Sequence, residues 1–372
     1  MDNFEPGGWT PPGKNAAEGT SEAAPGTPLD KYSITFRTDE LERMAEEQYP
    51  LLGEFGLKNQ TTALYAKPNT GKTVLLLHAM CEAVKDGRID GGKCYYVDAD
   101  DNPSGILEKI KLLQPYRINV LAPGLHDFEI NRLPALLRAM ADDGTARGCL
   151  VVIDTLKKVV NLMDKRDSSE FANLCRAFIM AGGTIAAAAH TNKRTDSDGR
   201  PIYSGTSDMV DDIDCSYTIQ EVSRTGSQGE KLVQLRNIKR RGGNPEEIAY
   251  SYSNATGISY EQLFRSVRRQ TDEDLERAKA EAEREKDADV VETVVDCISA
   301  GITSKMELSA EVAKRLRNVG RNKVGVIIDR YTGDDPAKHR WTFQIVERGK
   351  RIYRLLPFDG SDGREVDPDT IF

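Results

Sequence analysis

The stretch Thr61–Ala83, TTALYAKPNTGKTVLLLHAMCEA, reads as a strand, a glycine-bearing loop and a helix. Its centre, Pro68-Asn69-Thr70-Gly71-Lys72-Thr73, matches the second half of the phosphate-binding loop pattern G-x-x-x-x-G-K-[ST]. Gly71 lets the backbone curl so that successive N–H groups face phosphate oxygens, and the helix that follows adds the partial positive charge of its N-terminus. Lys72 supplies a mobile charge for the β and γ phosphates, and the Thr73 hydroxyl is placed to ligate magnesium. With Val74 opening the helix, residues Pro68 to Val74 are the candidate nucleotide cradle for ATP and Mg2+. Ala66 stands where the pattern has its first glycine, which restricts the backbone but removes no phosphate-binding group.

A chain of 372 residues exceeds what one core usually serves, so two or more domains are expected. Hydrophobic residues at 39% and charged residues at 30% describe an ordinary globular composition. No apolar run approaches the length of a membrane span, and the N-terminus has no basic-then-apolar leader. The cysteines (Cys81, Cys94, Cys149, Cys175, Cys215 and Cys297) have no metal-ligand spacing and read as reduced core residues of a cytoplasmic protein. A net charge of -8 argues against an indiscriminate nucleic-acid coat.

Residues 1–29 are rich in Pro, Gly, Ala, Ser, Thr and Glu and are expected to form a disordered arm, with Trp9 its largest side chain. A short helix is expected from Asp39 to Tyr49, ended by Pro50. After the loop, apolar runs alternate with amphipathic segments, the pattern of a parallel sheet covered on both faces. Strands are expected at Thr61–Ala66, Cys94–Ala99, Ile118–Leu121, Cys149–Asp154 and Thr184–Ala189, and helices near Lys72–Lys85, Pro103–Leu113, Asn131–Asp142 and Ser168–Ala181. Cys215–Gln220, Leu232–Asn237 and Ile248–Ser253 look like hairpin strands finishing the sheet.

This α/β core is assigned to residues 30–264. Residues 265–289 read as a charged helical linker, solvated or in a coiled coil. Residues 290–358 form a second fold, and 359–372 a flexible tail. Between Ile302 and Pro357 there are 13 Lys/Arg and 6 Asp/Glu, a net of +7 in an acidic protein. Helical segments at Val290–Ala300, Lys305–Asn318 and Arg321–Tyr331, then strands at Arg340–Val346 and Arg351–Leu356, describe a winged helix-turn-helix. Its candidate nucleic-acid contacts are Arg321, Lys323 and Arg330 on the third helix and Arg340, Arg348 and Lys350 about the wing. Binding protein is the competing reading.

A phosphate loop alone says nucleotide binding; hydrolysis needs more groups at the strand tips. Asp154 ends the apolar strand CLVVIDT and would hold magnesium through water. Asp98-Ala99-Asp100-Asp101 ends the neighbouring strand, where Asp100, or failing it Asp101, could activate the attacking water; helix capping before Pro103 could explain one of them. His190, Thr191 and Asn192 follow a run of small apolar residues and are positioned to sense the γ phosphate. Beyond them Lys193, Arg194 and Arg200 lie on an expected loop from Lys193 to Ser204, a candidate contact to a nucleic-acid backbone.

Taken in order, KPNTGKT, YYVDADD, CLVVIDT, AAAAHTNK, GTSDMVDDIDCSYTI and LRNIKRRGG resemble the RecA-type core of hexameric helicases, especially the plasmid and phage RepA-like ATPases. The resemblance covers Leu51 to Ser253. It implies a RecA-like P-loop NTPase core, ATP hydrolysis with magnesium, and a homo-oligomeric, hexameric ring. Single-stranded DNA would be gripped by the core and duplex DNA by the winged helix, in a replicative helicase or translocase; the alternative is an ATP-dependent DNA-binding adaptor without unwinding activity. Where the family usually has a catalytic glutamate, this chain has Asp100. Lys239, Arg240 and Arg241 match the basic residues with which the family reaches a neighbouring subunit's nucleotide.

Overall fold

The structure, a computed structural model, describes residues 27–35, 38–195, 201–203, 207–223, 229–346 and 349–357. Most of the N-terminal arm with Trp9, the residues Arg200 and Arg348, and the tail 359–372 lie outside the described residues. The backbone divides into two units, 1–48 and 49–372. In the first, a 3-10 turn at Asp30–Tyr32 precedes helix α1, Asp39–Glu46. The helix ends before Tyr49, and Pro50 opens a strand instead of terminating a helix.

The second unit begins with β1 (Pro50–Leu52) and β2 (Gly56–Leu57), an antiparallel pair. Then come β3 (Thr61–Ala66), α2 (Lys72–Lys85), β4 (Cys94–Asp98), α3 (Pro103–Leu113), β5 (Asn119–Leu121), α4 (Leu133–Asp142), β6 (Leu150–Asp154), α5 (Lys165–Met180) and β7 (Thr184–Thr195). They are followed by β8 (Pro201–Tyr203), α6 (Ser207–Asp212), β9 (Cys215–Ser223), β10 (Glu230–Arg240), β11 (Glu247–Ser253), α7 (Tyr260–Arg265) and β12 (Arg268–Gln270). The main sheet has the order β12-β11-β10-β9-β3-β7-β6-β4-β5, with β8 paired to β7. Strands β9, β3, β7, β6, β4 and β5 run parallel, and β10, β11 and β12 extend the edge antiparallel. It is a RecA-like P-loop NTPase core.

Side-chain alternation along the strands builds a core on each face of this sheet. Leu64, Ala66, Tyr96, Val152 and Ala188 point to the side covered by α2, while Ala63, Tyr65, Val151, Ile153 and Ala187 point to the side covered by α4 and α5. With both faces buried, the strands read as continuous apolar runs. All six cysteines are buried free thiols. Among the described residues no helix is long and apolar enough to cross a membrane.

Three elements of the main sheet differ from the sequence expectation. Strand β9 pairs in parallel with β3, so the antiparallel part starts one strand later than the hairpin reading had it. Strand β7 runs past Ala189 to Thr195 and pairs with β8, so the segment expected as a loop from Lys193 to Ser204 is in part a hairpin. The core sheet also continues past Phe264, because β12 pairs with β11.

From Thr271 onward the chain forms α8 (Asp272–Ser299), α9 (Lys305–Leu316), α10 (Arg321–Arg330) and the hairpin β13 (Trp341–Val346) and β14 (Lys350–Leu355). Residues expected as a separate charged linker and first helix are one 28-residue helix. Its start is fixed by a capping box of Thr271 with Asp274 and by Leu275, which packs on Leu232 and Ala249 of the core sheet. Its last turns, through Val290, Val294, Cys297 and Ile298, share a cluster with Leu308, Val312, Val324, Ile327, Ile328, Trp341 and Tyr353. Trp341 is fully buried, its indole N–H donating to the Ile328 carbonyl at 3.0 Å.

Candidate functional site

Sheet register brings the candidate groups to one edge. Ala66 ends β3 opposite His190 of β7, Asp154 ends β6 opposite Ala188, and Asp98 ends β4 opposite Asp154. The carboxyl ends of parallel strands open onto the ligand crevice of such a sheet. Ala66 is the last residue of an extended strand, and alanine fits there without strain.

The loop itself is shaped by two left-handed residues, Asn69 at φ 60° and Gly71 at φ 89°. Asparagine tolerates this region and glycine favours it. Gly71 has a second reason to lack a side chain, because a Cβ there would lie 2.6 Å from the Tyr252 hydroxyl. The Thr70 hydroxyl closes the turn by donating to the Lys67 carbonyl at 2.9 Å. Helix α2 then starts with no capping side chain and no acidic residue in its first turn, leaving its N-terminal N–H groups for an anion.

Lys72 is 7% exposed and donates to the Ala66 and Lys67 carbonyls, each at 3.2 Å. Burial pulls its ammonium pKa down, and the Asp154 carboxylate opposes that shift. Thr73 donates its hydroxyl proton to Asp154 Oδ2 at 2.5 Å. Tyr96 donates to the same oxygen at 3.0 Å, reaching diagonally from β4 to the tip of β6. Thr73 and Asp154 are thus adjacent, and among the described residues no group of three or more His, Cys, Asp or Glu could hold a metal. That donor set fits Mg2+, which takes one or two protein oxygens and completes its shell with water and phosphate. The peptide bond between Asp154 and Thr155 is cis.

Tyr96 was not singled out from the sequence, although it stands two residues before Asp98 on the same strand face. Because it fixes the orientation of Asp154, Tyr96→Phe is expected to raise the Mg2+ concentration for half-maximal hydrolysis by roughly tenfold, as loss of an orienting partner commonly does. A magnesium titration of the steady-state rate measures this, and an unchanged midpoint would remove Tyr96 from the site.

The two carboxylates proposed as water activators are both in ion pairs. Asp100 lies 2.8 Å from Lys158 and 3.5 Å from Lys157, residues that follow the β6 tip. The Lys158 hydrogen bond holds its carboxyl below the usual range, which weakens it as a base while the pair persists. Asp101 lies 2.9 Å from Lys109, and although burial pushes its pKa up, Lys109 and the Asn102 N–H carry it below the ordinary value. Neither caps α3; Asn102 does, accepting from the Gly105 N–H at 3.1 Å. His190 is pulled below its ordinary value by burial, then by Lys72 and Lys157, so its ring is neutral at pH 7. The Thr191 hydroxyl is buried without a hydrogen-bond partner among the described residues.

Lys239, Arg240 and Arg241 are at the other edge of the sheet. Arg240 stands opposite Cys215, and Cys215 opposite Thr62, whereas the loop follows Ala66 at the other end of β3, roughly 13 Å along the strand. Lys239 donates to the Asp211 carbonyl at 2.6 Å and Arg241 to the Asp211 and Asp212 carbonyls at 2.9 and 3.2 Å, satisfying the C-terminus of α6. Arg240 donates to the Asn244 carbonyl at 3.2 Å. The triplet therefore does not face the phosphate loop of its own chain.

In the C-terminal fold, Arg321, Lys323 and Lys350 are exposed. Arg330 is committed elsewhere: its guanidinium pairs with the buried Asp287 carboxylate and lies 3.0 Å from Glu283, both on α8. It ties α10 to α8, and the two carboxylates offset its charge although 37% of the side chain stays exposed. Arg340 is half-buried. Lys193 and Arg194 belong to the β7 backbone.

An uncapped helix N-terminus behind a left-handed loop, a lysine curled onto that loop, and a Thr–Asp pair suited to magnesium define a P-loop ATPase site. Consistent with it, residues 34–196 match a family model described as an AAA domain. No match was found among curated proteins.

Proposed function

We propose that the protein is a RecA/RepA-like ATPase that assembles into a ring, most simply a hexamer, and couples hydrolysis to movement on single-stranded DNA in a phage or plasmid replication system. The observation that carries the nucleic-acid reading is the C-terminal fold. Helices α9 and α10 are joined by four residues, Arg317 to Gly320, and followed by an antiparallel hairpin. Arg321 and Lys323 open α10 and are exposed. A basic helix-turn-helix with a wing suits the major groove of a duplex, with Lys350 near the phosphates. In this reading residues 290–358 are a winged-helix domain that recruits a core of residues 30–264 to DNA.

In the hydrolytic cycle Lys72 leaves the Ala66 and Lys67 carbonyls for the β and γ phosphates, and Thr73 and Asp154 would hold magnesium. The metal would neutralise charge developing on the β and γ oxygens. Water attacks the γ phosphorus in line as the bond to the β,γ-bridging oxygen breaks, giving ADP and phosphate; the water proton passes to Asp100 once γ phosphate has drawn Lys157 and Lys158 away. Lys239, Arg240 or Arg241 of an adjacent subunit adds charge to the transition state. An ATP-driven adaptor that does not unwind DNA is the second reading, favoured by the lysine-paired state of Asp100.

The test is duplex binding by fluorescence anisotropy at several salt concentrations. Arg321→Glu combined with Lys323→Glu is expected to weaken binding at least tenfold and to flatten the salt slope by about two, one for each lost phosphate contact. Unchanged affinity would make the fold a protein-docking module.

A further inference from the structure

The phosphate loop is gripped from behind by strands that carry none of the residues of its own Lys72–Asp154 site. Lys231 of β10 donates to the Asn69 carbonyl at 2.9 Å, and its ammonium lies 2.8 Å from Glu221 of β9. Both side chains are mostly buried, at 13% and 24% exposed. Directly opposite Lys231 in register is Tyr252 of β11, 5% exposed, which meets the loop at Gly71. The two contacts fall on Asn69 and Gly71, the two residues of the loop with positive φ.

That coincidence has a physical meaning. A non-glycine residue holds a left-handed conformation only when its surroundings over-determine it. In a planar trans peptide the C=O and the following N–H point in opposite directions. Lys231, by holding the Asn69 carbonyl, therefore turns the Thr70 N–H the opposite way, away from the brace. Tyr252 presents a wall that only a glycine backbone can approach as α2 begins.

We propose that Glu221, Lys231 and Tyr252 form a brace that presets the phosphate loop for nucleotide, with Lys231 as its positioning residue. Lys231 touches the loop through its backbone, at the Asn69 carbonyl. It stabilises the binding-ready shape before nucleotide arrives, so its loss weakens capture and leaves the chemical step alone. Glu221 keeps the ammonium aimed at the carbonyl. The proposal rests on the loop's being the ATP site.

The experiment uses the full chain, a fluorescent ADP analogue titrated in Mg2+ buffer, and steady-state ATP hydrolysis. Lys231→Met is expected to raise the Kd of the analogue and the KM for ATP by about tenfold, with kcat within about twofold. Lys231→Arg restores most of the affinity. In a Glu221→Gln background the effect of Lys231→Met shrinks, because both act through one contact. If the methionine variant does not fold, Lys231→Gln takes its place in the same comparison. An unchanged Kd with wild-type binding intact, or a fall in kcat at constant KM, overturns the brace. Failure of the wild-type protein to bind the analogue overturns the ATP site itself.

Discussion

Lys72→Ala is expected to abolish ATP hydrolysis, with kcat reduced by a factor on the order of 10³ or more, the scale seen when one preorganised charge is removed from a transition state. Lys72 is the buried cation of the loop, and the Asp154 carboxylate opposes the depression of its pKa. Its two hydrogen bonds are to carbonyls of its own loop, so alanine deletes the charge without unpairing a buried acid. The variant should fold, with an unfolding midpoint close to the wild type, and release no phosphate above background. Turnover equal to the wild type would sink the ATPase assignment.

The largest stability effect is expected at Lys109. Its side chain is 8% exposed, and its ammonium is 2.7 Å from the almost fully buried Asp98 and 2.9 Å from Asp101. Burial already pushes the Asp98 carboxyl above its ordinary value, with the Lys109 hydrogen bond opposing. Lys109→Met leaves the buried Asp98 carboxyl without its partner beside Asp154, and breaking such a buried pair costs about 3–5 kcal/mol. Urea unfolding should show the loss as a lower midpoint at similar slope. Adding Asp98→Asn should recover most of it; a double variant no better than the single would show that the lysine acts through packing instead.

Much of the core was legible because its signals are local. Strand β3, the loop and α2 lie within 25 residues of one another, and the apolar runs ending in Asp98, Asp154 and Ala189 announce buried parallel strands. The parts not legible depend on partners distant in sequence. Nothing about Asp100 indicates that Lys157 and Lys158 will fold back on it from the next strand tip. The triplet Lys239-Arg240-Arg241 looks the same whichever way its strand runs, and only the antiparallel direction of β10 sends it away from the loop. The same reversal carries Lys231, an unremarked residue at the other end of that strand, onto Asn69. Arg330 reads as a surface cation until α8 supplies Asp287, 43 positions upstream. The segment 272–289 looks like a free linker because its anchors are few, yet Leu275 and the buried Asp287 suffice to fix it as one helix with the segment that follows.

The most direct measurement is phosphate release by the full chain with ATP and Mg2+, with and without single-stranded DNA, against Lys72→Ala. The site predicts a basal rate that is lost in the variant under either condition, and the proposed function predicts that single-stranded DNA raises the wild-type rate several-fold. A wild-type rate indistinguishable from that of the variant, with DNA and without it, would contradict a hydrolytic site at these strand tips.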